Sequence, residues 1–159
     1  MNQMRLFTLT KDHTITETIS LALQVGWPGM EVIAGEDIRA SCLFRDIKPE
    51  VVVIDLDLPD AQGFRLAKDI RDLSDVPIIT LSTHYVETEM ARAVWAGVDA
   101  YLLKTVGMFG ILAWVRSLLK GHSVEIDPKI LGNISSRPKL QNSFPQRRSE
   151  QMTDLIVAS

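Results

Sequence analysis

The sequence predicts an α/β fold, a doubly wound five-stranded parallel sheet covered by helices on both faces. Two observations carry that prediction. Five short apolar segments alternate with helix-like ones over the first 120 residues, the pattern of consecutive βα units. One of them, Val51-Val52-Val53-Ile54, is an unbroken β-branched run between Pro49 and Pro59, as expected of a strand buried on both faces.

The elements follow in order. Residues 6–9 form the first strand. A helix then starts with Thr14 and Glu17 in a T-x-x-E capping arrangement, carries Ile15, Ile19, Ala22 and Leu23 on one face, and stops at Gly26. A second strand is read at 31–34 and a second helix at 36–45, with Cys42 on the same face as Ile38 and therefore in the core. The third strand, 51–56, carries Asp55 at its carboxyl end, where open α/β sheets gather their chemistry. In the loop beyond it, Pro59 fixes φ and Gly63 permits positive φ. A helix at 64–73, a strand at 77–81, a helix at 85–96 and a strand at 100–103 complete the sheet. The last helix, 108–120, has a core-facing stripe of Met108, Ile111, Leu112, Val115, Leu118 and Leu119.

Residues 1–122 thus read as one domain. Residues 123–159 are polar, with scattered Ser, Asn and Pro, and read as a linker and short tail. Residues 145–159 are compatible with one short helix ending in Leu155-Ile156-Val157.

A chain of 159 residues with 46% hydrophobic residues supports one core and a short appendage. The formal net charge of −3 gives no reason to expect non-specific attraction to nucleic acid or an anionic membrane. A lone cysteine excludes an internal disulfide, and His13, His84 and His122 are too dispersed for a shared metal site. The start lacks a signal-peptide pattern and no apolar stretch reaches membrane-spanning length, so a cytoplasmic protein without membrane contact is expected.

The segment Asp55-Leu56-Asp57-Leu58-Pro59-Asp60-Ala61-Gln62-Gly63 resembles the phosphoacceptor segment of response-regulator receiver domains, with Asp55 in the place of the phosphorylated aspartate. Ser82, ending the Pro77-Ile78-Ile79-Thr80-Leu81 run, matches the family's switch hydroxyl. In Gly97-Val98-Asp99-Ala100-Tyr101-Leu102-Leu103-Lys104, Lys104 matches the phosphoryl-contacting lysine and Tyr101 the switch aromatic. Thr105 follows as in regulators with a LuxR-type output domain. The resemblance covers residues 5–120. It implies a flavodoxin-like strand order 2-1-3-4-5, a signalling role without an enzyme activity of its own, and a sensor histidine kinase or other signalling protein as partner.

One position departs from the family pattern. Receivers carry two adjacent acidic residues just after the first strand, which hold Mg²⁺ together with the phosphoacceptor; here the pair reads Lys11-Asp12. Among Lys11, Asp12, Asp55 and Lys104 the charge sums to zero. An ammonium some 6 Å from Mg²⁺ costs about 5 kcal/mol at an effective dielectric of 20, so Mg²⁺ held by Asp12, Asp55 and Asp57 is expected to bind weakly if at all. Lys11 either turns to solvent or pairs with Asp55 in the metal's place. Asp57 and Asp60 otherwise read as loop solvation and helix capping, and the bulk of Thr83 is expected to narrow access to Asp55.

Three readings follow: a phosphorylated switch on Asp55, a pseudo-receiver acting by binding alone, and the front part of a DNA-binding regulator. The tail looks faintly like the opening of a LuxR-type helix-turn-helix, but one helix cannot read a major groove, so specific DNA binding by these residues is not expected. The basic residues Arg137, Lys139, Arg147 and Arg148 are too dispersed to change that. Trp95 and Trp114 lie off the apolar centres of their helices and are expected to be partly exposed. With Tyr101 they mark a surface for partner docking or a homodimer through the last two helices.

Overall fold

The computed structural model describes residues 3–120 and 156–158. The expected βα alternation is present: β1 (Arg5–Leu9), α1 (His13–Gly26), β2 (Glu31–Gly35), α2 (Phe44–Ile47), β3 (Val51–Asp55), α3 (Gln62–Leu73), β4 (Ile78–Ser82), α4 (Glu87–Ala96), β5 (Ala100–Leu103) and α5 (Gly107–Lys120). The first five strands pair in parallel in the order 2-1-3-4-5. A sixth strand, β6 (Ile156–Ala158), adds in parallel to the free edge of β5.

Strand alternation divides the core. Leu6, Val51, Val53, Ile79, Leu81, Ala100 and Leu102 face α1 and α5. Phe7, Leu9, Val52, Ile54, Ile78 and Tyr101 face α2, α3 and α4. All five residues of β3 and of β4 are buried, as the apolar runs require, whereas β2 lies at the opposite edge and is mostly only partly covered.

Several local expectations are corrected. The cap of α1 is Asp12, whose carboxylate accepts from Thr14 N, so the helix begins one residue before the T-x-x-E pattern. The second helix is replaced by a 3₁₀ segment (Ile38–Leu43) leading into the four-residue α2. A 3₁₀ turn has three residues rather than 3.6, which changes the face on which each side chain emerges. Cys42 is accordingly exposed, its thiol donating to Arg39 O at 2.8 Å, rather than in the core.

Positive φ after β3 falls on Asp60 and Ala61, at 57° and 54°, not on Gly63. Gly63 serves by lacking a side chain: a Cβ there would stand 2.8 Å from Asp55 O. Of the tail, residues 145–155 and 159 lie outside the described residues, and 156–158 is strand rather than helix end. Two β-branched residues beside an unpaired strand edge favour that outcome.

The largest correction is Trp114, which is fully buried. Ile111, Trp114 and Val115 lie at i, i+3 and i+4, so the face of α5 pressed on the sheet is rotated from the centre of the six-residue stripe toward the indole. Tyr101 is fully buried as well, while Trp95 is 73% exposed as expected.

Candidate functional site

The carboxyl ends of β1, β3, β4 and β5 converge on Asp55. Alternation turns Asp55 to the same side as Val51 and Val53, and carries Thr10 to the side of Leu6. Asp55 is 4% exposed and its carboxylate is fully engaged. Thr10 Oγ1 donates to Oδ2 at 2.8 Å, Asp57 N donates to Oδ1 at 2.9 Å, and Lys104 Nζ lies 3.1 Å from each oxygen. Burying a carboxylate is costly unless it is paired and hydrogen-bonded, and this one is both.

Asp57 is the second anchor of Lys104, at 2.7 Å, and is more than solvated loop. Its Oδ2 also accepts from Thr83 N at 3.0 Å and from the Thr83 hydroxyl. Partial burial alone would push the Asp57 carboxyl up, but the hydrogen bonds from Lys104 and Thr83 outweigh it and hold the group below its ordinary value. For Lys104, burial favours the neutral amine, yet the bonds and charges of Asp57 and Asp55 lift it above its ordinary value. Lys104 is therefore ammonium, shared between two carboxylates. Thr83, expected over Asp55, instead clamps Asp57.

Ser82 and Tyr101 form an adjoining group on the α4 side. The Ser82 hydroxyl donates to His84 O at 2.9 Å, and the Tyr101 hydroxyl donates to the same carbonyl at 2.9 Å. Burial raises the Tyr101 phenol above its ordinary value, so it stays a neutral donor.

Residues 11–116 match the response regulator receiver domain family. The chain belongs to that family. It is a signalling module of two-component systems. It is 35% identical over 108 residues to the KDP operon transcriptional regulatory protein KdpE of Escherichia coli (strain K12), covering 67% of this chain and 48% of that protein. It is 27% identical over 113 residues to the response regulator protein VraR of Staphylococcus epidermidis, covering 70% of this chain and 54% of VraR. The chain spans about half the length of these curated relatives.

Among solved structures, the chemotaxis response regulator CheY4 of Vibrio cholerae superposes with TM-score 0.65 at 21% identity, covering 74% of this chain and 99% of that one. The CheY-like receiver domain protein of Methanospirillum hungatei JF-1 gives TM-score 0.68 at 20% identity, covering 76% and 96%. Both show the receiver fold.

Receiver domains imply Mg²⁺ beside the phosphoacceptor, and the residues of this receiver do not fit one. Asp12 is exposed and its carboxylate is turned to the amino end of α1, not to Asp55. Asp55 and Asp57 come together, but around Lys104. Among the described residues no group of three or more His, Cys, Asp and Glu side chains could hold a metal ion. Lys11 does not pair with Asp55 either; it is exposed, and its charge contributes in a small way to lowering the Asp37 carboxyl.

Of the expected surface, Trp95 alone is open; Tyr101 and Trp114 are core. Thr10 is the site residue that the sequence reading missed. Its signal was a hydroxyl in an otherwise apolar strand run, at the same alternation phase as Thr8 and one step beyond the strand end. Among the described residues no helix is long and apolar enough to cross a membrane.

Proposed function

We propose that this chain is a pseudo-receiver: a two-component receiver fold that works as a protein interaction module without Mg²⁺-dependent phosphorylation of Asp55. The observation that carries this reading is the position of Thr10. With β1 ending at Leu9, the two residues that follow it are Thr10 and Lys11, neither acidic, and the Thr10 hydroxyl fills hydrogen-bonding space beside Asp55. On this reading the family's acidic pair corresponds to Thr10-Lys11 rather than Lys11-Asp12, and both carboxylates are gone.

Attack by a carboxylate on a phosphoryl group needs cationic help to neutralise the charge that accumulates in transfer. Lys104 supplies one positive charge, already shared by two carboxylates. The inward Tyr101 and Ser82, both bonded to His84 O, support one fixed conformation that partners select by binding. Large apolar groups left exposed on the last two helices, Trp95 and Phe109, suit docking of a signalling protein or a second copy.

The test is intact-mass measurement after incubation with a small phosphodonor and Mg²⁺. The natural chain is expected to stay unmodified, and a Thr10→Asp, Lys11→Asp double variant is expected to gain one phosphoryl group that Asp55→Asn abolishes. Mg²⁺-dependent modification of the natural chain at Asp55 would overturn the reading. It would favour the second one, a phosphorylated switch supplied by a histidine kinase, for which the joint presence of Asp55, Ser82 and Lys104 at one sheet edge speaks. The transcriptional role printed in the name of KdpE belongs to a protein of which the matched stretch covers 48%; for this chain, DNA regulation stands as a third and weaker proposal.

A further inference from the structure

We infer that the outer edge of β5 is a strand-acceptor site, and that its resident occupant is this chain's own segment Ile156–Ala158. The inference is independent of whether Asp55 accepts a phosphoryl group.

The backbone directions of β5 define the edge. Val52 N–H donates to Pro77 O at 2.9 Å and Leu56 N–H to Leu81 O at 2.8 Å, so Pro77, Ile79 and Leu81 address β3 and Ile78, Thr80 and Ser82 address β5. In the register that pairs Thr80 with Tyr101, Thr80 N–H meets Ala100 C=O and Thr80 C=O meets Leu102 N–H, so Ala100 and Leu102 address β4 while Tyr101 and Leu103 address the outer edge. Those outer groups bond only to water in a sheet that ends at β5. The parallel register pairs Tyr101 with Val157. In a parallel ladder that register sets Tyr101 N–H against Ile156 C=O, and Ala158 N–H against Tyr101 C=O.

The sequence supplies a suitable occupant. Leu155-Ile156-Val157-Ala158 is the longest apolar run after residue 121, and its two central β-branched residues favour a pleated strand. A parallel return needs a crossover of at least a dozen residues, and 121–155 provide ample chain.

The location makes occupancy consequential. Tyr101 packs with Ala93 and Ala96 of α4 on one face of β5, and Ala100 and Leu102 pack with Ile111 and Val115 of α5 on the other. The added strand therefore lies along the sheet edge between the last two helices. A partner that binds there by adding a strand must be an extended, apolar, β-branched peptide running parallel to β5, and must displace 156–158 to do so. The segment is a built-in competitor for that class of ligand.

Amide hydrogen exchange on the full chain tests this, using Ala158→Pro to remove the donor to Tyr101. Tyr101 N–H is expected to exchange at least tenfold faster in Ala158→Pro, while Ala100 and Leu102 N–H keep their protection and so show an intact domain. Ala158→Thr, which keeps the donor, is expected to match the natural chain. A saturating peptide of residues 153–159 is expected to restore slow exchange at Tyr101 in Ala158→Pro. Equal Tyr101 exchange in the natural chain and Ala158→Pro, or failure of the peptide to restore protection, would overturn the inference. Protection that rises with protein concentration would overturn it too, by assigning the strand to a second copy.

Discussion

Two charge clusters sit at opposite ends of this sheet and are built on different terms. At the amino end of β5, Arg71 from α3 bonds Asp99 Oδ2 at 2.7 Å, Gly97 O at 2.9 Å and Ser74 O at 3.2 Å, and Asp99 also accepts from Ile78 N at 2.8 Å. Each partner is backbone or a single opposite charge, so one arrangement satisfies every group. At the carboxyl end, Lys104 is divided between Asp55 and Asp57, and hydroxyls from Thr10 and Thr83 complete the set. The first cluster ties a helix to two strand ends and a helix cap. The second leaves a net negative charge among hydroxyl donors, which is the composition of a site and not of a clamp.

Breaking the clamp is expected to have the larger effect. Arg71 is 5% exposed and packs closely on Gly97, where a Cβ would stand 2.5 Å from its Cγ. Arg71→Leu leaves Asp99 buried and uncompensated, with an expected loss of about 3–5 kcal/mol. Denaturant unfolding measures it. An additional Asp99→Leu substitution should recover part of the loss, and a cost below about 1 kcal/mol for Arg71→Leu would show that the pair is not a clamp.

Removing Lys104 sharpens the contrast from the other side. Lys104→Met leaves two adjacent carboxylates, but Asp57 is a third exposed and water can replace the ammonium in part. The expected cost is about 1–3 kcal/mol, below that of Arg71→Leu in the same assay. If Lys104→Met proved the more damaging change, the carboxyl-end cluster would have to be read as structural.

The two clusters were also unequally legible in the sequence. Asp55, Ser82 and Lys104 announce themselves because each closes an apolar run at a strand end, and Tyr101 and the five-stranded order follow once the family resemblance is made. Thr10 and Thr83 are silent, since a threonine in or after a strand is ordinary, and only the convergence of four strand ends gives these two a target. The Arg71–Asp99 pair spans 28 residues and depends on how α3 lies across the sheet, which no local pattern encodes. Trp114 was misjudged for a related reason: the buried arc of a helix is set by what it packs against, and a six-residue stripe fixes its centre only to within about one residue's rotation, 100°. The sixth strand depends on an edge left open by β5, a tertiary circumstance.

Acid should separate the two clusters by sign. Burial raises the Asp99 carboxyl above its ordinary value of 3.8, despite the opposing charge and hydrogen bonds of Arg71 and the bond from Ile78 N. A raised folded-state value means that protonation favours the folded form, so this group adds stability as pH falls through its folded value toward 3.8 and loses that addition as pH rises again. Asp57 is lowered from 3.8, so its contribution is fully present above that value and disappears as pH falls through the lower folded one. Unfolding free energies measured from neutral pH down to about pH 3 should therefore fall more steeply for Asp99→Asn than for the natural chain. For Asp57→Asn they should fall less steeply. Both differences are expected to be smaller than the cost of either cation deletion, because each carboxylate keeps other partners. Identical slopes for the three proteins would mean that neither cluster is linked to proton binding in this range, and the contrast between them would then rest on geometry alone.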